Sequence, residues 1–213
     1  GLPLVLIDRK IEGIAADAVI VDNRSGAKEA VAHLIGLGHR RIGTICGPQQ
    51  VYTGFERLQG YLEALREARI PVEKDLIREG NFKQDSGYRL AREFLEMDDP
   101  PTALFVANNL MTIGALLALR EAGVRIPQDM AVVGFDDMEW ASILTPPLTA
   151  VAQPAYALGA NAAQLLIQRL LRGPSPQPQE IVLKTRLVVR ESCGASLHLR
   201  SRQTSQPRRA RAL

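Results

Sequence analysis

The stretch Pro101–Asp137, PTALFVANNLMTIGALLALREAGVRIPQDMAVVGFDD, decides the fold class. Ala103 to Ala107 is a short apolar run between Pro100-Pro101 and Asn108-Asn109, the pattern of a buried strand. Leu110 to Ala122 places Leu110, Ile113, Leu116, Leu117 and Leu119 close to a 3.6-residue period, and Gly123 with Pro127 beyond it supplies the stop. Ala131 to Phe135 is a second apolar run, closed by Asp136-Asp137. Strand, helix and strand joined by a right-handed crossover make the two strands parallel neighbours. Asn108 and Asp136 then emerge at one sheet edge, the carboxyl edge where open α/β sheets bind ligands. An amide and a carboxylate there suit a ligand rich in hydroxyls. The same two residues also suit capping of the helix and of the following turn, and the two roles are compatible.

The same alternation runs through the rest of the chain. Strands are predicted at Leu4–Ile7, Ala18–Val21, Ile42–Cys46, Leu76–Arg78, Ala150–Gln153 and Ile181–Arg190. Helices are predicted from a Ser25 cap to about Leu37, from Thr53 to about Ala68, from Asp85 or Ser86 to near Met97, and over Ala155–Leu171. ALREA occurs at Ala64–Ala68 and again at Ala118–Ala122, a weak echo of one βα unit. Strands alternating with amphipathic helices make the class α/β with parallel sheet.

At 213 residues the chain has room for one large domain or two small ones. Aromatic content of 5% argues against a stacking platform for single-stranded nucleic acid. The formal charge of +3 comes from the end of the chain, where residues 195–213 carry five Arg and no acid. The body holds 21 basic against 23 acidic side chains, which excludes a basic whole-domain face for DNA. The last 19 residues lack periodicity and read as a disordered tail. Cys46 and Cys193, without CxxC spacing, read as buried free thiols in a reducing compartment. His33, His39 and His198 form no metal constellation, so no metal is expected. No apolar run is long enough to span a membrane, and no signal segment precedes the first strand. An opening without Met is expected of a chain that begins inside a larger protein.

Catalytic templates fail. GxGxxG after a strand, GxxxxGK[ST], GxSxG and HExxH are all absent. Asp136 and Asp137 are adjacent, so their carboxylates diverge, and no third ligand lies at useful spacing. No enzymatic role and no cofactor are expected. Arg57 on the face of a long helix reads, from spacing alone, as a solvated or salt-bridged group before it reads as a ligand contact. Phe82 in the turn-rich GNF segment either overhangs a cleft or belongs to a satellite core.

Several segments, in order, resemble the effector-binding core of the lactose-repressor/galactose-repressor (LacI/GalR) family of bacterial transcription regulators. They are PLVLIDR, VIVDNRSGAKEAVAHLIGLGHRRIGTICGP, TGFERLQGYLEAL, GNFKQDSGY, PPTALFVANNLMTIGALLAL, RIPQDMAVVGFDD, LTPPLTAVAQP and LVVRES. The resemblance covers nearly all of residues 1–193. It implies a periplasmic-binding-protein-like core: two parallel-sheet α/β lobes joined by three crossovers, with a small effector between them. The implied layout gives 1–23 to the N-terminal lobe and 24–149 to the C-terminal lobe. It returns 150–178 to the first lobe, places a final strand (179–194) in the second, and leaves 195–213 as tail.

By the same resemblance, Asp8, Thr53, Arg57, Phe82, Asn108, Asp136 and Gln153 contact the effector. Phe82 covers an apolar sugar face, while Arg57 and Asp136 bracket vicinal hydroxyls. Val51, where the purine-binding branch carries Arg, points to a sugar rather than a purine. The family comparison also implies that the helix-turn-helix, the hinge helix and the first two βα units of the N-terminal lobe are missing. Operator DNA is then reached only through that absent N-terminal domain. The implied dimer surface is the exposed side of the Leu110–Ala122 helix with Met111, Ala115 and Trp140, although Trp140 packing on its own lobe is the alternative. The whole reads as the cytoplasmic, homodimeric, allosteric sensor of a transcription regulator; the alternative is the sugar-binding protein of a transport system. On this reading Arg57→Ala and Asp136→Ala each weaken effector binding and leave the melting temperature nearly unchanged.

Overall fold

The computed structural model describes residues 3–11, 13–173 and 177–195. In chain order the elements are β1 (Val5–Ile7), β2 (Asp17–Val21), α1 (Asn23–Gly36), β3 (Ile42–Cys46), α2 (Tyr52–Glu67), β4 (Ile77–Glu79) and α3 (Gln84–Leu95). There follow β5 (Ala103–Val106), α4 (Asn109–Glu121), β6 (Ala131–Phe135), β7 (Thr149–Ala152), α5 (Ala155–Arg172), β8 (Glu180–Leu183) and β9 (Arg186–Val188). The strands form two sheets. One has the order β1-β2-β8 and is parallel; the other has the order β4-β3-β5-β6-β7-β9 and is parallel except for β9. Of the tail read into residues 195–213, Ala195 is partly buried and packs on the core, and residues 196–213 lie outside the described residues.

In the larger sheet β3, β5 and β6 are buried at every position, because helices cover both faces. Alternate residues therefore enter different cores. Leu104, Val106 and Val132 meet α3 and α4 through Leu90, Phe94, Met111 and Ala115. Ala103, Phe105 and Val133 meet α1 and α2 through Val31, Leu34, Tyr61 and Leu65. The smaller sheet is held by α5, whose Leu158, Ala162 and Leu165 pack on Val19 and Val21.

The α3–α4 contact corrects the predicted buried stripe of α4. The buried face consists of Met111, Thr112, Gly114, Ala115, Ala118 and Leu119, while Leu110 and Leu117 are exposed. Close approach explains the choice of small residues. A Cβ on Gly114 would lie 2.0 Å from the Gln84 carbonyl oxygen, and one on Gly87 would lie 2.1 Å from that of Met111. Large leucines are thereby pushed to the flanks of the helix.

The two ALREA segments close α2 and α4 in the same way. The amide of Ile70 donates to the Leu65 carbonyl (2.9 Å) and that of Arg69 to the Arg66 carbonyl (3.0 Å). Val124 to Leu119 (3.0 Å) and Gly123 to Arg120 (3.0 Å) repeat the arrangement. This termination needs a left-handed residue after the cap. Gly123 supplies it at φ 71°, whereas Arg69 is held at φ 56° with a Cβ. Arg69→Gly is expected to raise stability by about 0.5–1 kcal/mol, read as a higher urea midpoint at unchanged slope. An unchanged or lower midpoint would show that Arg69 makes a compensating contact.

The chain passes between the sheets three times: at Asp22, at Gln153-Pro154 and at Lys184-Thr185. These crossings correct the expected boundaries. β7 belongs to the larger sheet, so the return begins after Ala152 and not at residue 150. The run predicted as one strand over Ile181–Arg190 is two strands, β8 in the first lobe and β9 in the second. That run contains neither Gly nor Pro, so its composition gives no sign of the change of sheet. Asp22, rather than Ser25, caps α1, accepting from the Ser25 amide at 3.0 Å.

Candidate functional site

Register brings the polar strand ends level. Val106 pairs with Gly134, so Asn108 and Asp136, each two residues further on, stand side by side. Phe135 pairs with Val151, which sets Gln153 beside them. From the first lobe β1 ends at Asp8, and the loop after β3 delivers the first turns of α2. Asp8, Thr53, Arg57, Phe82, Asn108, Asp136 and Gln153 together line one cleft of about 280 Å3. Arg9, Asn109 and Leu110 also line it. Sequence reasoning missed these three, although Asn109 directly follows a named residue in the same polar bracket.

Arg57 is the organising group. It is 3% exposed, and its Nε donates to Asn23 Oδ1 at 2.8 Å while Nη1 donates to the Ala107 carbonyl at 2.6 Å. Its guanidinium lies 3.7 Å from the centroid of the Phe135 ring, and Nη2 stands 4.0 Å from Asp136 Oδ1. Burial lowers its pKa, opposed by the carboxylates of Asp136 and Asp8; arginine nonetheless stays charged. Asn23 follows the first crossing, so Arg57 ties that crossing to two strand ends of the larger sheet. Its burial corrects the reading of Arg57 as a solvated or salt-bridged group on a helix face.

Asp136 accepts from Gln153 Nε2 on Oδ1 (2.5 Å) and from the Asn109 amide on Oδ2 (3.3 Å). The second bond places a carboxylate at the start of α4, where the helix dipole favours it. Asn108 caps the same helix, accepting from the Met111 amide at 3.1 Å, and its Nδ2 donates to the Phe82 carbonyl at 3.1 Å. Asn108 thus holds the Phe82 segment in place. The Phe82 ring lies on Gly47, where a Cβ would come within 2.1 Å of it. Only glycine allows that contact.

Two features mark the cleft as more than a seam between lobes. Among the described residues four non-glycine residues have left-handed φ; Arg69 belongs to a helix end, and the other three are Asp8 (66°), Phe82 (64°) and Asp136 (77°). Such strain, of about 1–3 kcal/mol per residue, concentrates at functional sites. Among the described residues Asp8 Oδ1 is buried without a hydrogen-bond partner. Burial raises the Asp8 pKa, Arg57 pulls it back, and Asp136 adds to the rise. A carboxylate in that position calls for a donor from a ligand.

Residues 31–193 match the family described as periplasmic binding protein-like domain. The chain belongs to that family. Within it, the chain is 43% identical over 195 residues to the HTH-type transcriptional regulator CelR of Thermobifida fusca, covering 90% of this chain and 57% of that protein. It is 38% identical over 192 residues to the HTH-type transcriptional repressor PurR of Shigella dysenteriae, covering 90% and 56%. This periplasmic-binding-protein-like chain therefore spans little more than half the length of these curated relatives. The solved complex of the transcriptional regulator CelR with cellobiose superposes with a TM-score of 0.83 at 42% identity, over 88% of this chain and 58% of that one. These relatives are named as transcriptional regulators, and the chain is a ligand-binding core of the LacI-family kind. Among the described residues no group of three or more His, Cys, Asp or Glu is placed to hold a metal, and no helix is long and apolar enough to cross a membrane.

The dimer expectation needs correction in this periplasmic-binding-protein-like core. Met111 and Ala115 are fully buried against the chain's own α3 and sheet, so their side chains have no surface to offer a second copy. Trp140 is partly buried and packs on the same core. The exposed apolar side chains of this region are Leu110, Leu117, Met138 and Ile143, the last 81% exposed.

Proposed function

We propose that this chain is the effector-sensing core of a cytoplasmic LacI/GalR-type transcription regulator. It binds a small polyhydroxylated effector, a sugar rather than a purine, between its lobes. Effector binding selects one lobe arrangement, and operator DNA is contacted by a helix-turn-helix outside these residues. The molecule works as a homodimer, for which Leu110, Leu117, Met138 and Ile143 are the available apolar contacts.

The observation that carries this reading is the unpartnered, buried Oδ1 of Asp8 facing Arg57 and Asp136 in one cleft. Two carboxylates and a fixed guanidinium offer charge-assisted hydrogen bonds to hydroxyls, and the Phe82 ring offers a flat apolar surface. A thermal-shift screen against pentoses, hexoses, disaccharides and purine bases tests it. A ligand at 100-fold its dissociation constant stabilises by about 2.7 kcal/mol, or roughly 5–10 °C for a chain of this size. A purine hit would transfer the reading to that class, and no shift with any compound would remove it.

Asp136→Asn is expected to weaken the effector that scores by about 10–100-fold, because a charge-assisted bond is worth about 1.5–3 kcal/mol. Its partly buried carboxylate accepts from Gln153 and one amide and stands 4.0 Å from Arg57, so stability should fall by no more than about 1–2 kcal/mol. Titration calorimetry and urea melts read the two effects separately. Equal losses in both would assign Asp136 to the scaffold.

A further inference from the structure

Asp136 holds its carboxylate in the cleft from a backbone conformation that a side chain disfavours, φ 77°. Its amide still bonds into the sheet, donating to the Val151 carbonyl at 2.9 Å. The chain must then return to the amino end of β7, which runs parallel to β6, and that return begins at Asp137. The Asp137 carboxylate takes both arms of the Arg190 guanidinium: Nη1 donates to Oδ1 at 2.6 Å and Nη2 to Oδ2 at 3.0 Å. A fork of this kind fixes direction as well as distance. Arg190 is itself anchored on the sheet. Nη1 also donates to the Leu148 carbonyl at 2.7 Å, and the Arg190 amide donates to Thr149 Oγ1 at 2.9 Å. Ser192 extends the anchor, its Oγ accepting from the Thr149 amide at 2.8 Å and donating to the Val132 carbonyl at 2.7 Å. Thr149 and Ser192 are buried, so the fork joins a rigid part of β6 and β7 to the residue next to Asp136. Neither Asp137 nor Arg190 lines the cleft. The two adjacent acids thus have different partners, one facing the cleft and the other fastened beneath it.

We propose that Asp137 and Arg190 are positioning residues for effector binding: their fork holds the left-handed turn at Asp136 and so aims that carboxylate into the cleft, while neither touches the effector. The inference rests on reading Asp136 as an effector contact and adds what keeps it aimed. A non-glycine residue keeps a left-handed backbone only where its surroundings impose it. With the fork gone, Asp136 is free to relax, and its Oδ1 leaves the place where Gln153 and Arg57 meet it. The fork also neutralises the charge of Asp137, one residue from the carboxylate that the cleft uses.

The test is a double-mutant cycle on the full chain, titrated with whichever of ribose, glucose, galactose, cellobiose and lactose gives the largest thermal shift. Asp137→Asn is expected to lower affinity by about tenfold, the size of one released left-handed residue. In an Asp136→Asn background the same change should cost less than about twofold, because the group it aims is already altered. Arg190→Lys, which keeps the charge but not the fork, should lose about threefold, and it replaces Asp137→Asn in the cycle if that variant does not fold. A second readout needs no ligand. The Gln153 side-chain amide donates to Asp136 Oδ1, so its proton shifts in the free protein report where that carboxylate stands, and Asp137→Asn is expected to move them. Equal losses in the two backgrounds, or unmoved Gln153 protons, would overturn the fork's role and leave the cleft reading intact, since a merely structural pair behaves in that way. An affinity indifferent to Asp136→Asn would remove the contact and the proposal together. No binding by any sugar would remove the cleft reading, and the Gln153 protons would then decide by themselves whether the fork aims Asp136.

Discussion

Arg57→Ala is expected to lower the free energy of unfolding by about 3–5 kcal/mol and to abolish effector binding, because one side chain serves both purposes. The substitution removes bonds to Asn23 Oδ1 and the Ala107 carbonyl, and each acceptor left buried without a donor costs about 1–3 kcal/mol. The stack on Phe135 is lost as well, worth roughly 0.5–2 kcal/mol, and Asp8 and Asp136 lose the positive charge between them. Desolvation of the guanidinium offsets part of this, which sets the estimate below the plain sum. For a chain of this length the fall in melting temperature is roughly 10 °C. Arg57→Lys should lie between, since an ammonium keeps the charge but cannot span three acceptors in a planar fork. Urea melts of the three proteins give the ranking. A loss below about 1 kcal/mol for Arg57→Ala would mean that water replaces the guanidinium, and Arg57 would then be a ligand contact only.

Arg57 also shows where the sequence stops being informative. Its position on a long helix was legible, but its burial depends on which carbonyls and side chains three other elements bring to it. Strands were read more surely, and Ile42–Cys46 and Ala131–Phe135 are residue-for-residue as expected. Both are apolar runs between polar brackets, buried on both faces, so nothing competes with the pattern. Helix α4 misled because its contact with α3 runs through Gly87 and Gly114. Small residues face inward there and leucines fall on the rim, the reverse of what a hydrophobicity stripe suggests. The division into β8 and β9 was invisible for a related reason: Lys184 and Thr185 are ordinary strand residues, and the change of sheet is imposed from outside. In the cleft, spacing alone placed Asn108 and Asp136 at one edge, while the other five positions came from the family resemblance. The left-handed backbone at Asp8, Phe82 and Asp136 had no sequence signal beyond the tolerance of Asp for that region.

Asp8→Asn is expected to stabilise the free protein at neutral pH and to weaken effector binding by about 10–100-fold, the range of one charge-assisted bond. Asp8 is ionised above its folded-state pKa, with one oxygen buried and unpartnered, and burial is the larger reason that this pKa is raised. The unfolded chain has the ordinary carboxylate value. Between the two values the folded state holds more protons than the unfolded one, so stability rises as pH falls through that window. The penalty of the charge is full above the folded pKa and absent below the unfolded one. Hence the gain in stability of Asp8→Asn should shrink as the wild type is acidified and vanish once both pKa values are passed. Binding runs the other way. A ligand hydroxyl that donates to the Asp8 carboxylate requires the ionised form, so affinity should be flat at high pH and fall about tenfold per unit below the folded pKa. With Asn at position 8 that dependence should disappear, leaving a weaker and pH-independent affinity. Titrations at several pH values, on both proteins, decide the matter. An affinity that rises on acidification would mean that Asp8 donates to the ligand as a neutral acid, and the pairing drawn for Asp8, Arg57 and the effector would have to be redrawn around that proton.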